Sequence, residues 1–318
     1  MLKRNTTALI ALAAATGLAH AETFKINDST SFGVNVDLGA YYASVKNSSG
    51  KIENQIAGKG LNQVKFEGSS KLSGGTKVFG KVEIDFDPVK DNDTVKTDDI
   101  KIGVAGAFGQ IQIGQFDSYA EDKVFEALGV GHGEYGFVTE AKSGNDGRHV
   151  QYTNKLGPLS IGVDITHMAK ANDATKSSTG TAVALVYKID ALTLGYAHDK
   201  ISAYDADGND ASAKSTDGFS VNYKLGDTQL IGFVGKTKPV SGSDSTNYSG
   251  VAAKYQMGAV DFGLAFQRVK TGSTTKNETS FGVGYQAYKD MTLYADMVKK
   301  GLSSKKGDAF EVGVMYSF

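Results

Sequence analysis

From Phe310 to Phe318 the chain alternates without a break, with Phe310, Val312, Val314, Tyr316 and Phe318 on one side and Glu311, Gly313, Met315 and Ser317 on the other. Successive side chains of a strand point to opposite faces, so this stretch presents an oily face and a mixed one. The same period returns along the whole sequence. Phe32, Val34, Val36, Leu38 and Tyr42 oppose Asn35, Asp37 and Tyr41, while Val78, Val82, Ile84 and Phe86 oppose Lys77, Lys81, Glu83 and Asp85. Sixteen strands are expected, near 32–44, 61–72, 76–87, 98–106, 109–116, 148–155, 158–168, 180–188, 191–200, 216–225, 228–237, 247–256, 259–269, 278–287, 291–299 and 308–318.

The connections alternate in length. Short ones fall at Ser73-Gly74-Gly75, Gly106 to Phe108, Gly157, Ile189-Asp190, Gly226-Asp227, Gly258 and Lys289-Asp290. Longer polar stretches lie between them, at 45–60, 88–97, 117–147, 169–179, 201–215, 238–246, 270–277 and 300–307. Seven short turns and eight long loops put every long loop on one side of a closed antiparallel sheet and both chain ends on the other. One closed ring disposes of all its edges, whereas two stacked sheets would leave several to be covered.

Residues 1–21 read as a cleaved export signal: Lys3 and Arg4, an apolar run from Ala8 to Ala15, and the small-x-small end Ala19-His20-Ala21. The remainder, 22–318, reads as a single domain, and losing Lys3 and Arg4 moves its formal net charge from -1 to -3. Its charges are mixed in sign, so no attraction to nucleic acid is implied. No apolar run approaches the roughly 18 residues of a spanning helix, and the expected architecture is a 16-stranded antiparallel transmembrane β-barrel with short periplasmic turns and long external loops. Cysteine is absent, which removes disulfides and thiolate chemistry, and Trp is absent, so any interfacial belt must come from Tyr and Phe.

Ser31-Phe32-Gly33-Val34, Lys65-Phe66-Glu67-Gly68, Gly109-Gln110-Ile111-Gln112-Ile113-Gly114-Gln115, Val150-Gln151-Tyr152 and the closing Met315-Tyr316-Ser317-Phe318, in that order, resemble the general porins of Gram-negative bacteria. The resemblance implies an outer-membrane homotrimer among lipid and lipopolysaccharide, passing ions and small hydrophilic solutes by diffusion. It also implies a third loop, here 117–147, that folds inward and narrows the channel. In that loop Glu134 and Tyr135 match the Glu and Phe of the family's Pro-Glu-Phe-Gly tip, with Gly133 in place of Pro, from which a more flexible tip is expected.

Loop 117–147 holds seven acids against Lys123 and Lys142. Glu134, Asp117 and Glu121 are the candidates to line a constriction. Such porins set a basic wall opposite, and with Arg148 and Arg268 the only arginines after the signal, lysine must supply most of it. Lys65, Lys81 and Lys101 have inward parity, whereas Arg148 shares parity with Val150 and Tyr152. Weak charge selectivity with a mild cation preference is expected. A sugar-specific channel using Tyr41, Phe79 and Tyr294, and a surface adhesin, are the alternatives. No Ser/His/acid set, two-histidine metal spacing or phosphate loop is evident, so neither an enzyme nor a cofactor is expected.

Overall fold

The computed structural model describes residues 22–46, 49–57, 62–86, 95–133, 138, 141, 147–168, 178–204, 210–239, 244–301 and 307–318. Nearly all of them are strand: β1 (Glu22–Lys25), β2 (Thr30–Lys46), β3 (Ile52–Ala57), β4 (Gln63–Lys71), β5 (Lys77–Phe86), β6 (Val95–Gly106), β7 (Gly109–Phe116), β8 (Gly147–Leu156) and β9 (Leu159–Met168). The second half continues with β10 (Ser178–Ile189), β11 (Leu192–Tyr204), β12 (Asp210–Leu225), β13 (Thr228–Pro239), β14 (Thr246–Met257), β15 (Val260–Thr271), β16 (Thr274–Tyr288), β17 (Met291–Lys299) and β18 (Ala309–Ser317).

These eighteen segments fill sixteen positions of one closed antiparallel barrel. β18 pairs with β2 and closes the ring. β3 and β4 share one position, bonding to Tyr41–Lys46 and to Thr30–Asp37 of β2. β1 continues the line of β18, pairing with Ser31–Val34 beyond the point where Phe318 and Val36 exchange backbone hydrogen bonds.

All seven expected short turns are present. Gly226 and Gly258 sit in two-residue turns at φ of 58° and 61°, a left-handed conformation that glycine adopts without strain. Three stretches expected as long loops are instead largely paired. Within 45–60, Ile52–Ala57 bonds back onto β2; within 201–215, Ile201–Tyr204 pairs with Asp210–Lys214; and within 270–277 only Gly272 and Ser273 turn between Thr271 and Thr274, which are themselves a bonded pair. These stretches are rich in polar residues and lie beyond the bilayer, where hydropathy no longer alternates. Their backbone N–H and C=O groups still need partners and find them across the sheet.

The outward faces of the strands are apolar and uncovered. Phe219, Tyr223, Phe266, Phe281, Tyr285 and Phe310 are each between 38 and 49% exposed. In water such a continuous surface would drive association; in a bilayer it is the solvated face. Tyr187, Tyr223, Tyr255, Tyr285 and Tyr316 stand near the short turns on alternate strands, forming the periplasmic belt that a Trp-free chain must build from tyrosine.

Candidate pore constriction

After Phe116 the chain leaves the wall and lies along its inner face. Ser118 Oγ accepts the N–H of Glu121, and a single wide, π-type helical turn follows over Glu121–Phe125, closed by the Glu126 N–H donating to the Glu121 carbonyl. The segment then runs across the inside of the barrel, held at its root by the Tyr119 N–H donating to Asp164 Oδ2 (3.2 Å). Asp164 in turn accepts from Gln151, which accepts from Gln112. Gln151, inward on β8, therefore helps fix the root of the loop.

Glycine on successive strands makes room for this crossing. Phe125 packs over Gly218, where a Cβ would stand 2.6 Å from its ring, and Val130 packs over Gly263, where a Cβ would stand 2.6 Å from its carbonyl oxygen. Val124 and Leu128 cover Gly195 and Gly250 in the same way, and Ala182, Ala184, Ala197 and Ala265 complete a dry contact beneath the loop. Small residues at inward parity on β11, β12, β14 and β15 were visible in the sequence and are the signal that could have located this seat.

At its far end the loop is tied to β17. Asp296 Oδ2 accepts the backbone N–H groups of His132 (2.6 Å) and Gly133 (2.7 Å). Gly133 is buried against Glu311 and Tyr294 with no space for a side chain, and a proline there would lack the N–H that Asp296 receives. His132 sets Nε2 against Asp261 (2.8 Å) and Nδ1 toward Asp296 (3.5 Å). The Asp296 carboxylate, aided by Asp261, raises the His132 pKa above its ordinary 6.5 despite the burial that opposes it.

A histidine with a raised pKa stabilises the state that raises it below its ordinary pKa, and that contribution disappears as pH climbs through the raised value. The titrating neighbours are the two aspartates, with Glu311 and Tyr294 packed at Gly133. Protease cleavage within the loop is accordingly expected to be slower at about pH 5.5 than at about pH 8.5. His132→Gln should flatten that difference; a pH profile identical to wild type would remove His132 from the anchor.

The wall on β2, β4, β5 and β6 carries the expected lysines, but not as a basic surface. Lys65 Nζ lies 2.9 Å from Asp37 and 3.8 Å from Glu83, Lys81 joins Glu83 to Asp99, and Lys101 meets the same Asp99 oxygen at 3.0 Å. Lys81 and Lys101 are direct cross-strand partners; the register shift beside them inserts the extra residue that brings Asp98 and Asp99 into the row. Asp85 and Asp98 join Glu83 in a group whose carboxylate oxygens lie within 4.8 Å of one another. Five carboxylates thus face three ammonium groups.

Of the loop candidates, Asp117 is exposed and Glu121 is buried at 1% exposure, while Glu134 lies outside the described residues. Exposed Asp122 is instead within electrostatic reach of Lys101, Asp99 and Lys81. The backbone of Arg148 pairs with Gln115, on the register of outward Val150. Tyr41 and Tyr294 are buried against each other and Ala43, and the Phe79 ring covers Gly103, so these three form no continuous aromatic track.

A closed sixteen-position barrel with an apolar outer face and a loop pinned along its inner wall is a multi-pass outer-membrane channel. The sequence model of the Gram-negative porins matches residues 8–304, and the chain belongs to that family. Similar solved structures include an anion-selective porin from Comamonas acidovorans, 18% identical with a TM-score of 0.70 over 91% of this chain and 100% of that one. The Salmonella typhi OmpF complex with daunomycin has 16% identity and a TM-score of 0.74, covering 93% and 100%. OmpT of Vibrio cholerae in its trimer form has 12% identity and a TM-score of 0.69, covering 92% and 100%. No curated protein sequence matches the chain.

Proposed function

We propose that residues 22–318, freed of a signal at 1–21, form a general diffusion channel for ions and small hydrophilic solutes, weakly cation-preferring and constricted by loop 117–147. The observation that carries this reading is the row on β2, β4, β5 and β6 in which five carboxylates stand with three lysines, with Asp122 of the inward loop in electrostatic reach of it. The strands that seat the loop are β9 to β18, which leaves the remaining lumen bordered by the row from Asp37 to Lys101. Carboxylates outnumber lysines there, and low-dielectric walls strengthen the resulting field along the ion path. Glu134 and Asp117 add to the same sign. Assembly as a homotrimer fits the trimeric form of the Vibrio cholerae neighbour.

Single-channel recording in a planar bilayer under a salt gradient tests the reading. Stable steps with a reversal potential on the cation side are expected. Asp122→Asn should move that potential toward the anion side, by about a threefold change for each ion and so up to about tenfold in their permeability ratio, for a unit charge about 6 Å from the path. Absence of steps from folded, inserted protein would overturn the channel assignment, and an unmoved reversal potential would remove Asp122 from the constriction.

A further inference from the structure

Below the inward loop, the wall from β8 to β14 changes sign. Lys155, Lys188, Lys224 and Lys254 stand on the inward register of β8, β10, β12 and β14, each within four residues of a short turn. Their cross-strand partners carry no charge until the row is complete. Lys155 faces Ser160, Lys188 faces Thr193, and Lys224 pairs with Gln229, which pairs with Lys254. The first inward carboxylate comes at the next pair, Gln256 with Asp261, and His132 already lies 2.8 Å from it. Lys65, Lys81 and Lys101 each stand against acids, whereas among the described residues none of these four lysines has an acid within ion-pair distance. Across the lumen Lys71 and Lys77 are direct partners at the Ser73–Gly75 turn, a like-charge pairing that weakens a sheet and adds to the positive mouth.

Two of the lysines border a cavity of ligand size. About 420 Å³ lies between His132, at the far end of the loop, and the Gly226-Asp227 turn, with Lys224, Gln229 and Lys254 on its wall. With the loop end above and a short turn below, it is reached from the periplasmic mouth. Lys224 and Lys254 flank Gln229 at two strand spacings, about 10 Å between backbones, and side chains on the inside of a barrel converge. Lys188 joins them through Thr193 and Asn222, one inward step from Lys224. Lysine offers a point charge without a planar fork, so these groups select by the number and spacing of charges on a ligand. A monovalent anion gains from one charge pair, about threefold at about 6 Å in water, whereas a chain of charges gains that factor at each lysine it meets. Asp227, exposed in the turn, is the other acid at the cavity.

We propose that this cavity binds a small multivalent anion, a linear oligophosphate, from the periplasmic side, held between Lys224 and Lys254 with Lys188 adjoining. Gln229 and Gln256 add neutral donors at its edge. Occupation replaces a positive mouth by a negative one and so strengthens the cation preference set at the narrow row. That effect on current rests on the channel reading, while the binding itself does not.

The test is isothermal titration calorimetry of the purified protein in detergent, with inorganic tripolyphosphate and then with orthophosphate. One tripolyphosphate per protomer is expected at low salt, bound about tenfold or more tighter than orthophosphate, with the advantage shrinking near about 1 M salt. Lys224→Gln/Lys254→Gln should weaken tripolyphosphate by about tenfold or more. Lys188→Gln/Lys224→Gln, which changes only exposed side chains, serves if the first variant does not fold, with about threefold or more expected. Equal affinity for the two phosphates, or tripolyphosphate affinity unmoved by these variants, overturns the proposal. In planar bilayers, tripolyphosphate added to one compartment should shift the reversal potential toward the cation side, and added to the other should leave it in place. An equal shift from both sides overturns the periplasmic placement. Calorimetric binding without current steps would be a failure of the channel reading alone, and steps without calorimetric binding a failure of this site alone.

Discussion

With Lys65, Lys81 and Lys101 all replaced by glutamine, the reversal potential under a potassium chloride gradient is expected to move far toward the cation limit. The three ammonium groups now offset Asp37, Glu83, Asp85, Asp98 and Asp99. Removing one unit charge about 6 Å from the path changes ion energy by about 0.7 kcal/mol in water-like dielectric, a factor of about three. Three removals therefore imply roughly an order of magnitude or more in the ratio of potassium to chloride permeability. Glutamine keeps donors for the carboxylates, so the strand pairing should survive. High salt should shrink the effect, because the screening length falls to a few ångströms near 1 M. A reversal potential equal to wild type would place this row off the ion path.

The second large effect is expected from Asp296→Ala. Its carboxylate receives two backbone N–H groups of the inward loop and faces His132, and Asp296 is itself 1% exposed. Truncation leaves those two donors buried without an acceptor, and each hydrogen bond to a charged group is worth about 1.5–3 kcal/mol, so the far end of the loop should lose about 3 kcal/mol or more of its hold. The barrel, closed by its own backbone ladder, should stay folded. Limited proteolysis should then cut between Glu126 and Gly133 at least tenfold faster than in wild type, with noisier single-channel currents, since about 1.4 kcal/mol corresponds to tenfold in an equilibrium. Cleavage at the wild-type rate would show that the glycine seat alone holds the loop.

The two predictions differ in how much of their basis could be read before the fold was known. Inward parity of Lys65, Lys81 and Lys101 follows from period two. Their partners do not: Asp99 reaches both Lys81 and Lys101 because of a register shift between β5 and β6, and sequence spacing carries no information on cross-strand stagger. Asp296 likewise reads as one more inward polar residue, more than 160 positions from the loop it holds. Glu121 illustrates the converse. Loop acids look alike in sequence, yet one helical turn buries Glu121 and leaves Asp122 exposed next to it.

Strand extent shows the same division. The readings at 45–60, 201–215 and 270–277 stopped where hydropathy stopped alternating, although the backbone pairing of Ile52–Ala57, of Ile201–Tyr204 and of Thr271 with Thr274 continues beyond the bilayer. By itself the sequence determined the barrel, its sixteen positions, the seven short turns and the face each strand turns to lipid, because a bilayer demands a closed sheet and a sheet has a period of two. Only the tertiary structure decided where the inward loop lies, which carboxylates pair with the lysines, and which inward lysines border one cavity. Those depend on distances between strands far apart in the chain, which the alternation of a single strand cannot encode.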